Sequence, residues 1–247
     1  METRAPIERM DEPRFLAEVG YFLYYEREMR WDFPDYDEER RSYSRYHLGE
    51  VLEIAGEDEG WIHDMRVVNI GAGCSCAVMA WDCRSKVSID PLLDVYQNLG
   101  MLLPDEPGTV ETQFVAASAE EMPLIQDCAD LAYCRNALNH MEHPELAVRQ
   151  IARIVRRGGY FYLDVDLDGT PTPDEPTAFS AEELWQLLEP WFECCTERHD
   201  LEPFSIHSPR RIRMLLRRNG VPANPRLDKQ ALFADYVATF PDPACAS

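Results

Sequence analysis

Residues 67–73, Val-Val-Asn-Ile-Gly-Ala-Gly, constrain the fold of this chain more than any other stretch. A short β-rich apolar run ends abruptly in Gly-x-Gly, and Ala77-Val78-Met79-Ala80-Trp81 behind it can start a helix. Gly71 permits a tight turn, Gly73 lets a ligand lie against bare backbone, and the following helix offers unpaired N–H groups. A strand, turn and helix in that order open a nucleotide-binding α/β unit.

The segments that follow repeat the unit. A second strand, Lys86 to Ile89, stops at Asp90-Pro91, where Pro91 starts a helix from Leu92 to Leu99. Strands follow at 113–117 and 131–134, then a helix over 145–155 with Arg157-Gly158-Gly159 as its C-terminal stop, then a strand over 160–166. Ser180-Ala181-Glu182-Glu183 reads as a capping box opening a helix to Leu188, and 191–198 and 211–217 as two last strands forming an antiparallel pair. The expectation is an α/β fold: a Rossmann-like, mostly parallel seven-stranded sheet with helices on both faces, the last two strands antiparallel, and an N-terminal helical cap.

Three regions differ in character. Residues 1–62 hold six of the eleven tyrosines and have helical spacing over Phe15–Leu23 and Tyr46–Ala55, with a loop pinned by Pro34 between them. They read as a cap, residues 63–219 as the ligand-binding α/β domain, and 220–247 as a Pro-rich tail with at most one helix, 229–237. The Pro-rich stretch Asp168 to Pro176 falls at the ligand edge of the sheet as a rim or lid.

A net charge of −21 disfavours nucleic acid and anionic membranes as partners. Eight cysteines in a core-rich chain of 247 residues read as buried reduced thiols, and no run approaches a membrane span, so the expectation is a cytoplasmic protein. Asp90 ends the second strand, where a carboxylate faces a ribose bound over the first turn.

Taken in order, these segments resemble the class I S-adenosylmethionine-dependent methyltransferases of small-molecule type. Val67 to Gly73 is similar to the family's glycine motif and Ser88-Ile89-Asp90-Pro91 to its ribose-binding acidic motif. Ser118-Ala119-Glu120-Glu121-Met122-Pro123 is similar to its adenine-side motif, and Asp130 to His140 with Ile151 to Gly159 is the most specific match. The resemblance implies S-adenosylmethionine as cofactor and S-adenosylhomocysteine as product. It implies contacts from Asn69, Gly71, Ala72 and Gly73 to the methionine part, and from Asp90 to the ribose. Pro91, Ser118, Ala119 and Glu120 would lie about the adenine, and the backbone of Arg135 and Asn136 at the amino group. Three departures stand out: Asn69 replaces an acidic residue, Ser75-Cys76 a third glycine, and Ser118 an Asp.

Methyl transfer is a displacement governed by alignment, and a hydroxyl acceptor must also lose a proton. His140, just past the fourth strand, is the candidate base, and Tyr25, Tyr46 and Asp166 are candidates for the acceptor pocket. The expected function is O- or N-methylation of a small molecule, such as a sugar or natural product. One rival is a binding protein that no longer methylates. Another is a nicotinamide-dependent oxidoreductase, disfavoured by the missing third glycine and by the lack of a Tyr-x-x-x-Lys arrangement at Lys86 or Lys229. Cys74-x-Cys76 lacks zinc-site spacing, so no metal is expected.

Overall fold

The computed structural model describes residues 12–32, 35–74 and 76–220, and of residues 12, 24–32 and 200 the backbone path alone. Pro34, Ser75 and the helix expected over 229–237 lie outside the described residues. Two helices lead, α1 (Glu12–Asp32) and α2 (Tyr36–Ala55), followed by the short α3 (Gly60–His63). The α/β part then runs β1 (Arg66–Ile70), β2 (Ser85–Asp90), α4 (Leu93–Asn98), β3 (Thr112–Ala116), β4 (Ala129–Arg135), α5 (Pro144–Ile154) and β5 (Val155–Leu167). It ends with α6 (Ala181–Leu188), β6 (Phe192–Leu201) and β7 (Arg210–Arg218).

The seven strands form one sheet in the order β3-β2-β1-β4-β5-β7-β6. β1 to β5 are parallel neighbours, and β7 slots antiparallel between β5 and β6. Strand order reverses between β1 and β4, which opens the crevice where ligands of such sheets bind. Side chains alternate faces along each strand. On β4, Ala132 and Cys134 join the core that includes Val148 and Ile151 of α5, while Leu131 and Tyr133 join the one that includes Val51 of α2. Both layers of the sandwich are thus written in a period of two. α6 begins with the expected capping box, Ser180 and Glu183 each capping the other's backbone N–H.

Two boundaries depart from expectation. No helix follows the glycine turn: residues 77–80 form turns that continue into irregular backbone before β2. Cys76 has φ +43, a left-handed backbone that breaks a helix where one would begin. The polar groups of this crossover bind elsewhere. Ser44 of α2 donates to the Ala77 carbonyl at 2.6 Å and accepts from the Ala80 amide at 2.9 Å, and Trp81 Nε1 donates to the Ser44 carbonyl at 2.9 Å. Lys86, buried, donates to the Met79 carbonyl at 2.8 Å and pairs with Asp105 at 2.9 Å. Secondly, α5 stops at Ile154, before the glycines, because Val155 is already extended and pairs with Ala129. Gly158, at φ +72, serves an irregularity inside β5 instead of a helix cap.

Candidate active site

Gly71 leaves β1 at φ +66, and a Cβ there would stand 2.3 Å from the Ala137 side chain. The turn is therefore pressed against the loop after β4, and only glycine fits. Gly73 has φ +53, and a Cβ there would come within 2.8 Å of the Phe22 ring from α1. Asp90, at the end of β2, holds the turn in place: one carboxylate oxygen accepts the Gly73 N–H at 2.9 Å, the other the Leu92 N–H at 2.8 Å. Burial pushes its pKa up to about 6, against the pull of those two amides.

These residues line a cavity of ≈ 260 Å³ at the strand ends. Of the residues expected from sequence, Gly71, Gly73, Asp90, Pro91, Ser118, Ala119, Glu120, Asn136 and His140 come together there. Ser118 caps a single 3-10 turn, accepting the Glu120 amide at 3.2 Å. Asn136 takes a left-handed φ of +46, and its buried Oδ1 has no hydrogen-bond donor among the described residues.

Other expected residues sit elsewhere. Asn69 is buried in β1 and donates to Ser88 Oγ at 3.3 Å; Ala72 and Arg135 also fall outside the lining. Tyr46 is exposed on α2 with its hydroxyl 3.1 Å from Glu50, away from the cavity. Asp166 caps the loop after β6, accepting the N–H groups of Phe204 and Ser205 at 2.9 and 2.7 Å. Asp166 does not line the cavity. The Tyr25 side chain lies outside the described residues.

The residues that sequence reasoning missed come chiefly from α1. Arg14, Glu18, Tyr21 and Phe22 line the cavity. Their i, i+4, i+7, i+8 spacing is a helical face and was the available signal. Glu18 Oε1 lies 2.9 Å from His140 Nδ1, and Arg14 donates to the His140 carbonyl and pairs with Glu142 at 3.1 Å. A carboxylate only accepts, so Nδ1 carries the proton and Nε2 holds the lone pair. That Nε2 is buried without a hydrogen bond among the described residues, 3.7 Å from Glu175. Burial opposes protonation of His140, but the hydrogen bond and charge of Glu18, with Glu175 and Asp174, outweigh it and raise its pKa above that of free histidine. The rim after β5 is stitched to the same loop: the Thr177 amide donates to the Asn139 carbonyl at 3.1 Å, and its hydroxyl to the Met141 carbonyl at 2.8 Å.

A family model described as a methyltransferase domain matches residues 68–163, from β1 into β5, which covers the glycine turn, Asp90 and His140. Residues 68–163 are thus similar to a methyltransferase domain, the stretch that carries the resemblance to the class I S-adenosylmethionine-dependent methyltransferases. The chain is 28% identical over 100 residues to an uncharacterized methyltransferase of Bacillus subtilis (strain 168), a match spanning 40% of this chain and 39% of that protein. Among solved structures, a putative methyltransferase from Bacillus halodurans aligns with TM-score 0.54 and 15% identity over 70% of this chain and 98% of the other. The 1,6-didemethyltoxoflavin-N1-methyltransferase of Burkholderia thailandensis, solved with 1,6-didemethyltoxoflavin and S-adenosylhomocysteine, aligns with TM-score 0.50 and 17% identity over 89% and 92% of the two chains. At these identities the solved structures share the fold of the methyltransferase domain. Among the described residues, no helix is long and apolar enough to cross a membrane.

Proposed function

We propose that the chain transfers a methyl group from S-adenosylmethionine to the oxygen or nitrogen of a small organic acceptor. The observation that carries this reading is the Glu18–His140 pair on the wall of the cavity that Gly71, Gly73 and Asp90 also line. The cavity residues fit the cofactor. Two glycines offer bare backbone, and each Asp90 oxygen accepts one N–H and retains a lone pair for a ribose hydroxyl. The orphan Oδ1 of Asn136 is an acceptor awaiting an N–H or O–H donor. When bound, S-adenosylmethionine supplies a methyl on a positively charged sulfur.

The chain's own residues do the rest. Glu18 fixes the imidazole tautomer, and His140 Nε2 takes the acceptor's proton as its oxygen or nitrogen attacks. The raised pKa means that this step gains with pH until His140 is fully neutral. Residues 63–219 act in this reading as the cofactor domain, and 1–62 as a cap that closes its mouth. A cytoplasmic setting belongs to the same reading, supported by the buried unbridged thiols Cys76, Cys83 and Cys134.

A second reading, a protein that binds the cofactor without turning over, is favoured by the Phe22 ring lying against Gly73. Both are tested by calorimetric titration with S-adenosylmethionine, NAD⁺ and NADP⁺, comparing wild type with Asp90→Ala and the shape-preserving Asp90→Asn. Saturable S-adenosylmethionine binding, weakened about ten-fold or more in both variants, is the expected result. Preference for a dinucleotide sinks both readings. Tight binding with no methylation across an acceptor panel favours the second.

A further inference from the structure

Beside the cavity, on the α2 side of the sheet, lies a cluster of charges that the reaction above does not use. Glu50 of α2 and Asp164 of β5 face Arg135 of β4 and Arg211 and Arg213 of β7. Three guanidiniums thus meet two carboxylates. His47, which contacts Glu50 at 2.9 Å, adds no charge at neutral pH, since burial pulls its pKa down to about 4.

The surplus falls on one residue. Arg211 binds Asp164 through two hydrogen bonds, at 2.6 and 2.7 Å, and the Glu202 carbonyl at 3.1 Å. Arg213 pairs with Glu50 and reaches Asp164 at 3.4 Å. Arg135, by contrast, approaches the same carboxylates only at 3.7 and 3.8 Å, beyond hydrogen-bond reach, and its Nε is buried without an acceptor. Among the described residues its one hydrogen bond is to the neutral Tyr43 hydroxyl, at 3.1 Å. Arg135 and Arg211 both lie over the Phe204 ring, at 4.3 and 3.9 Å, so one cation sits near another. An under-paired charge in such a setting is costly unless an anion completes it.

Arg135 remains reachable, with 17% of its side chain exposed. It directly precedes the cavity residue Asn136, and its charge acts on Tyr21 of the cavity wall, together with Tyr43 and Glu175. We infer that Arg135 binds an anionic group of the methyl acceptor, making the acceptor class small organic acids, carboxylates or phosphate esters, whose nucleophile points at His140. This inference rests on the methyltransferase reading and deepens it. The acidic rim at Glu18 and Glu175 does not oppose it, because those carboxylates already face His140 and Glu18 shares the α1 face with Arg14. A guanidinium with open nitrogens suits a carboxylate or a phosphate alike.

The test uses the full chain saturated with S-adenosylhomocysteine, whose own titration is run first. Saturation-transfer NMR titrations then follow benzoate, formate and phenyl phosphate against the neutral benzamide and formamide and the cationic benzylamine. The anions are expected to bind wild type with a preference of about ten-fold or more over the neutral probes. Arg135→Gln is expected to abolish that preference and Arg135→Lys to retain part of it. Formate is small enough to reach the guanidinium whatever the pocket's shape. Silence from every anion, equal binding of benzamide and benzoate, preference for benzylamine, or an anion preference that survives Arg135→Gln overturns the inference. Should Arg135→Gln fail to fold, wild type and Arg135→Lys decide alone. Failure to bind S-adenosylhomocysteine sinks the methyltransferase reading instead, so the two failures are distinguishable.

Discussion

At the scale of single residues, Asp90 and His140 set the pH behaviour of the cavity. Asp90 titrates near 6 because it is buried, and hydroxyl donors from a bound ribose favour its ionised form. Cofactor affinity is therefore expected to fall as pH drops through about 6, and calorimetry across that range in wild type and Asp90→Asn checks it. The amide of Asp90→Asn does not titrate, so its affinity should stay flat. His140 moves in the opposite electrostatic company, with Glu18 raising its pKa against the effect of burial. Imidazole NMR titration should find it above free histidine in wild type and lowered in Glu18→Gln. An unmoved pKa in that variant would sink the pairing.

At the scale of elements, α2 and the β1–β2 crossover form one device. Ser44→Ala removes both the donor to the Ala77 carbonyl and the acceptor of the Ala80 amide, two buried groups, and is expected to cost about 1–3 kcal/mol in urea denaturation. A control serine on an exposed surface should cost far less. The same device explains what was legible in the sequence. The strands could be read because Val67-Val68-Asn69-Ile70 and Leu131-Ala132-Tyr133-Cys134 advertise buried strands locally. The absent helix after Gly73 could not, because Ala77 to Trp81 have acceptable local propensity and their polar groups are taken by Ser44, distant in sequence, and by the buried Lys86. The cavity floor was readable from Gly71, Gly73 and Asp90, whereas its roof, Arg14 to Phe22, was marked only by a helical face with no named chemistry. Asp166, expected at the acceptor pocket, holds the amides of Phe204 and Ser205, a task its place in the sequence does not announce.

For the molecule as a whole, the charge cluster ties α2 to β4, β5 and β7, and through Glu50 it contributes to acid stability. Burial alone raises the Glu50 pKa, but the hydrogen bond from His47 and the charges of Arg213 and Arg135 bring it down to about 2. With its folded pKa below the ordinary 4.5, Glu50 stabilises the fold fully above that value and loses the contribution as pH falls toward 2. Asp90 works the other way: its raised pKa makes ionisation between 3.8 and about 6 a cost to the folded state. Glu50→Gln is expected to flatten the fall in stability below pH 4.5 and to destabilise the fold at neutral pH, since it removes the closer of the two carboxylates that pair with Arg213. Denaturant midpoints measured across that pH range check both.

The crossover tethered by Ser44 also bears on synthesis. The ribosome releases α2 before β1, so the hydroxyl that fastens residues 77–80 is already outside the exit tunnel when they emerge. A segment without a helix of its own thus emerges after the side chain that fastens it.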